Sequence, residues 1–75
     1  MTSLDVAFRY GKQPGPEEMR AIDALREVYG IRRVAFNEKE QTVRVEFDAS
    51  RMKEDTVAAL LRRAGIDLTE KLALA

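Results

Sequence analysis

Apolar residues recur at every second position in four short stretches of this chain, and at helical spacing in two stretches that lie between them. Few folds accept that order. The clearest stretch, Thr42-Val43-Arg44-Val45-Glu46-Phe47-Asp48, puts Val43, Val45 and Phe47 on one face and its charges on the other. That is the pattern of a strand with one side buried and one in water. Leu4-Asp5-Val6-Ala7-Phe8-Arg9-Tyr10 alternates likewise, and Ile31 to Asn37 turns Val34 and Phe36 the same way. Glu38-Lys39-Glu40-Gln41 reads as the polar hairpin connection between the second and third strands. A short fourth strand is expected to begin at Ile66-Asp67-Leu68, and the tail through Leu72 and Leu74 has no decisive period.

Gly11 to Pro16 holds two prolines and two glycines, which cannot continue a ladder. Pro16 suits the first position of a helix, where a missing N–H costs nothing, with Gly15 as an acceptable cap. Glu17 and Glu18 fall in the first turn, where the helix dipole favours negative charge. Ile22, Leu25, Val28 and Tyr29 form an apolar stripe, widened by Ala21 and Ala24, and Gly30 ends the helix. The second helix is expected from about Lys53 to Ala64, with Val57, Leu60, Leu61 and Ala64 as its stripe, Arg62-Arg63 complementing its dipole and Gly65 stopping it.

Strand, helix, strand, strand, helix, strand, joined by right-handed crossovers, predicts the ferredoxin-like split βαβ arrangement. This is an α+β sandwich in which one antiparallel four-stranded sheet carries both helices on one face. A chain of 75 residues is one domain, 1–75, near the small end of what folds alone. Such a core rarely supplies more than about 3–5 kcal/mol. The chain has no cysteine and no histidine, so neither a disulfide nor a zinc site reinforces it.

Thirteen basic and thirteen acidic residues cancel. Nucleic-acid binders usually show a basic excess, and membrane-surface helices a basic polar face. Neither is present, so no nucleic-acid partner and no direct membrane insertion are expected. Met1-Thr2-Ser3-Leu4-Asp5 is not a signal-peptide start, and no apolar run approaches the ~20 residues of a membrane span. A cytoplasmic protein is expected. For catalysis, Ser3, Ser50 and the threonines have no placed base, and the two prolines of the Gly11–Pro16 loop remove donors that a phosphate cradle would use. The expectation is a protein that is not an enzyme and uses no cofactor.

From Gly11 to about Ile66 the chain resembles, without gaps, the heavy-metal-associated (HMA) domain family of copper chaperones, mercury-binding proteins and P-type ATPase amino-terminal domains. The residues that carry the likeness are Gly11 in the loop, then Leu25, Val28, Gly30-Ile31, Val34 and Phe36. Val43-Arg44-Val45-Glu46-Phe47-Asp48, Leu60 and Ala64-Gly65-Ile66 continue it. That family's loop reads Gly-Met-x-Cys-x-x-Cys; here the same frame is Gly11-Lys12-Gln13-Pro14-Gly15-Pro16-Glu17. The resemblance implies the same fold. By family analogy it also implies a protein partner, such as a membrane transporter's cytosolic domain, docking on Lys12, Gln13, Pro14, Glu17 and Glu18. Where the family places its two thiolates this chain has Pro14 and Glu17, which cannot replace them for soft Cu(I) or Hg(II). The resemblance therefore implies a member whose metal loop is degenerate.

Three further candidates follow from the residues. Glu17 and Glu18, with Met19 nearby, are the only local donors for a weakly held metal; two carboxylates are few for a hard cation, and adjacent helix residues do not face each other. Arg9, Arg33 and Arg44 are expected on the open face of the sheet as an anion patch, with cross-strand ion pairs to Asp5 and Glu46 as the competing explanation. The outer strand near Leu68 to Leu74 has edge groups that a homodimer would cover.

Overall fold

A computed structural model of the chain describes residues 2–73. Its elements are β1 (Ser3–Tyr10), α1 (Pro16–Leu25), β2 (Ile31–Asn37), β3 (Thr42–Asp48), α2 (Glu54–Arg63) and β4 (Leu68–Leu72). The strands form one sheet in the order β2-β3-β1-β4, every neighbouring pair antiparallel. Each helix thus links two strands with a third lying between them, the ferredoxin-like α+β topology expected from the order of elements.

Period-two alternation decides which face is covered. Val6, Phe8, Tyr10, Val34, Val43, Val45 and Phe47 are buried in one cluster with Ile22 and Leu25 of α1 and Val57, Ala58 and Leu61 of α2. Both helices therefore lie on the same side. Asp5, Arg9, Arg33, Ala35 and Arg44, the intervening residues, are exposed on the other side. Ala7, flanked in register by Arg44 and Leu72, is buried there.

The apolar stripe predicts a first helix running to Gly30, but α1 ends at Leu25. The Arg26 N–H still donates to the Ile22 carbonyl at 3.1 Å. Glu27 and Val28 instead reach back only three residues, to Ala24 and Leu25, at 3.1 and 2.9 Å. The last turn has tightened into 3₁₀ form. The core is filled before this point by Ile22 and Leu25, so Val28 and Tyr29 stay 36% and 73% exposed. Gly30, at φ +105°, then swings the chain into β2.

β4 starts at Leu68 and not, as the alternation predicts, at Ile66. Ile66 is buried, but the Leu68 N–H folds back onto the Ile66 carbonyl at 3.0 Å, so the preceding pair serves as a connection. The tail continues as strand through Leu72; Leu74 lies outside the described residues. Both border strands shift register, β4 against β1 at Arg9/Tyr10 and β2 against β3 between Ile31 and Arg33. On β2, Arg26 from beyond α1 also donates to the Val34 carbonyl at 3.1 Å. Residues Thr69, Glu70 and Lys71 of β4 are exposed, and Lys71 is paired to Glu54 of α2. Bulges, charges and a short border strand discourage strand-to-strand pairing.

Candidate functional site

The loop between β1 and α1 is held at both ends. The Gly11 N–H donates to the Asp67 carbonyl at 3.0 Å, and the Gly15 N–H donates to Glu18 Oε1 at 2.6 Å. This is half of a capping box, since Gly15 has no side chain to reciprocate. The Glu18 side chain also lies against the end of α2, where a Cβ on Gly65 would come 3.0 Å from Glu18 Cγ. Glu18 is therefore committed to structure, while Glu17 on the next position is exposed. Lys12 and Gln13 are exposed as well; Pro14 and Met19 are half-buried. Among the described residues no three His, Cys, Asp or Glu side chains gather as a metal-holding group.

On the open sheet face the three arginines have separate fates. Arg44 pairs with Asp5 at 2.6 Å, a diagonal contact between β3 and β1, since Arg44 stands opposite Ala7 and Asp5 opposite Glu46. Arg9 pairs at 3.1 Å with Glu70 of β4, a partner that depends on the register of that strand. Arg33 stands opposite Glu46 in register, but among the described residues no carboxylate lies within 4.0 Å of it. Glu46 thus does not form the pair expected of it. The exposed pairs on this face contribute about 0–1 kcal/mol each.

The opposite end of the molecule holds a site that sequence reasoning missed. At the end of β3 the Asp48 N–H donates to the Gly30 carbonyl at 2.7 Å. The Asp48 side chain is nearly buried, and its Oδ1 accepts the Ser50 hydroxyl at 2.6 Å and the Ser50 N–H at 3.0 Å. Arg32 and Arg51 each approach Oδ2 at 3.9 Å. The Ser50 hydroxyl and then its N–H hold the Asp48 pKa below the ordinary carboxylate value, helped by Arg32 and Arg51 and opposed by burial. Above this acid the Arg51 guanidinium sits 4.4 Å from the centre of the exposed Tyr29 ring. A groove of about 570 Å³ runs between them, lined also by Arg26. Asp48-Ala49-Ser50 carries the local signal of a side chain turning back onto its own backbone; that Arg26, Tyr29, Arg32 and Arg51 converge on it needs the tertiary fold.

A depressed carboxylate pKa stabilises the folded state above the unfolded-chain value of about 3.9, and that share is lost as pH falls through the lower folded value. Wild type is therefore expected to melt higher than Asp48→Asn at neutral pH, with the gap closing below about pH 4. Thermal scans of both proteins across that range check it; a gap independent of pH would show that the charge of Asp48 contributes nothing.

Tyr10 is the one buried side chain, among those described, whose polar atom has no hydrogen-bond partner. Its ring meets Phe36 edge-on at 5.8 Å. Burial, and secondarily the charge of Glu38, push the phenol pKa up, so the hydroxyl stays protonated.

Compared with known proteins, the chain matches no family model and no curated protein.

Proposed function

We propose that this chain is a small, non-catalytic HMA-like binding domain that acts by docking on another protein, with the family's soft-metal loop degenerate. The observation that carries the reading is the Gly11–Gly15 loop: pinned by Asp67 and Glu18, it presents Lys12, Gln13 and Glu17 to solvent on a fixed backbone. A pre-ordered loop loses little conformational freedom on binding, which favours its use as a contact surface. The proposal includes a cytoplasmic setting and, by family analogy, a transporter's cytosolic domain as partner. Among the described residues no helix is long and apolar enough to cross a membrane.

The test is affinity capture from the native cells with wild type and with the Lys12→Glu/Glu17→Lys variant. A partner enriched by wild type should fall at least about tenfold with the variant, equivalent to about 1.4 kcal/mol, while circular dichroism is unchanged. Equal recovery would remove the loop from the interface. Repeating the capture with Cu(I), Zn(II) or a chelator separates the metal-handling reading: a partner retained only with metal would mean ligands shared between Glu17 or Met19 and that partner.

A further inference from the structure

We infer that the open face of the sheet is an interface between two copies of this chain, packed face to face about a two-fold axis. The inference does not rest on the β1–α1 loop, whose Lys12 and Glu17 lie outside this face. It starts from two charges that the fold leaves unused. Arg33 and Glu46 stand opposite each other on β2 and β3, yet among the described residues neither has an ion-pair partner within 4.0 Å. On its other side Glu46 stands opposite Asp5, and like charges facing each other across strands are unfavourable. Arg44 answers Asp5 and leaves Glu46 without a cation.

Strand register shows what would answer it. Across the strands, one row of the open face is Arg33, Glu46 and Asp5, and the next is Ala35, Arg44 and Ala7. These two rows are complementary to each other in charge and in size. A second copy turned about an axis that runs across the strands, between the rows, lays each row on the other. Glu46 of one copy then meets Arg44 of the other, while Arg33 and Asp5 stand over Ala35 and Ala7. A two-fold axis makes every contact twice. Arg33, entering over the alanine of the second copy, also comes diagonally beside that copy's Glu46.

The same residues argue for the occupant. Asp5, Arg33, Ala35, Arg44 and Glu46 line a hollow of about 310 Å³ on this face. Two cations and two anions balance there, so neither an acidic nor a basic ligand is called for, and a second copy brings both signs in the matching places. Arg44 has a side chain 59% exposed despite its pair with Asp5, and keeps donors for a second carboxylate. An axis at right angles to the strands also keeps the two sheets aligned, one of the two ways in which sheets stack. The molecule measures 33 × 28 × 17 Å, and a broad side of that size suits the ~800 Å² that a standard interface takes from each partner. Removing these charges from water offsets much of their attraction, so the dimer is a transient one, with dissociation in the micromolar range.

The experiment is sedimentation equilibrium of the untagged full chain from about 10 to 500 µM at low salt, a span that brackets micromolar dissociation. A monomer–dimer equilibrium is expected, weakening about tenfold or more in 1 M salt, where screening acts within ~3 Å. Arg44→Glu and Glu46→Arg should each weaken association about tenfold or more, with unchanged circular dichroism. An equimolar mixture of the two variants should associate again, because each reversed charge then faces an opposite one; this recovery also shows that both are folded. Lys12→Glu/Glu17→Lys should dimerise like wild type, so failure at the loop and failure at the sheet are read separately. A chain that stays monomeric over this range would overturn the inference, leaving the face to water or to a different protein. So would a dimer indifferent to Glu46→Arg, which would mean that Arg33 and Glu46 close on each other within one chain and that association uses another surface, or variants that do not recover on mixing.

Discussion

Replacing Phe47 with alanine is expected to leave most of the protein unfolded at room temperature. Phe47 is 1% exposed and sits on β3 between Leu4 of β1 and Ile31 of β2, on the face that both helices cover. Truncating a buried phenylalanine costs about 3–5 kcal/mol, from lost transfer energy and from the cavity left behind. A core of this size provides about 3–5 kcal/mol in total. The two quantities are equal within their spread, so the variant has no margin. Urea titration followed by circular dichroism should show a cooperative transition for wild type and no native baseline for Phe47→Ala. Arg44→Ala, on the open face of the same strand, should shift the transition by less than about 1 kcal/mol. A Phe47 variant that lost no more than the Arg44 variant would mean that the covered face of the sheet had been assigned wrongly.

Gly30→Ala is expected to cost about 2–3 kcal/mol, a larger penalty than the other positive-φ glycine would incur. Two effects add. A side chain at φ +105° occupies the left-handed region, at about 1–2 kcal/mol. The new methyl would also stand 2.8 Å from Met52 Cε and 3.2 Å from Arg51 Cβ. The methionine tip can move aside, but the Cβ of Arg51 is fixed to its backbone. Gly65, at φ +98°, meets only the Glu18 side chain, with Cγ at 3.0 Å, so Gly65→Ala should approach the backbone penalty alone. Denaturation midpoints for both variants, with Gly30→Asn as a residue that tolerates positive φ, decide the matter. Equal losses at the two glycines would show that Met52 and Arg51 yield freely and that only the dihedral angle counts.

The elements with local signatures were the ones legible in the sequence. The alternation of β3 and the Pro16 start of α1 identify those elements without reference to the rest of the chain. The end of α1 was not legible in this way. Val28 and Tyr29 continue the helical spacing, and only the depth of the core reveals that Ile22 and Leu25 have already filled it. The candidate sites divide for the same reason. That Arg9, Arg33 and Arg44 share a face follows from period two. Which acid each one meets depends on strand register: Arg9 lies opposite Glu70 of β4 and pairs with it, while Glu46 lies opposite Asp5 and Arg33. Glu18 read as a first-turn acid with a potential surface role, and its side chain proved to cap Gly15 and touch the end of α2. The Arg26–Tyr29–Arg32–Arg51 corner was out of reach because two crossover connections assemble it.

The borders of the sheet bear on how the molecule can be read by others. A register shift in each outer strand, and Arg26 on the Val34 carbonyl, leave both borders of the four-stranded sheet irregular. Such a border is a poorer template for another chain's strand than a flat, regular edge would be. On the proposed reading, recognition would fall to side chains at corners and loops, where a single substitution changes what is presented. Binding by such side chains could then be altered by point mutation without touching the sheet that holds them.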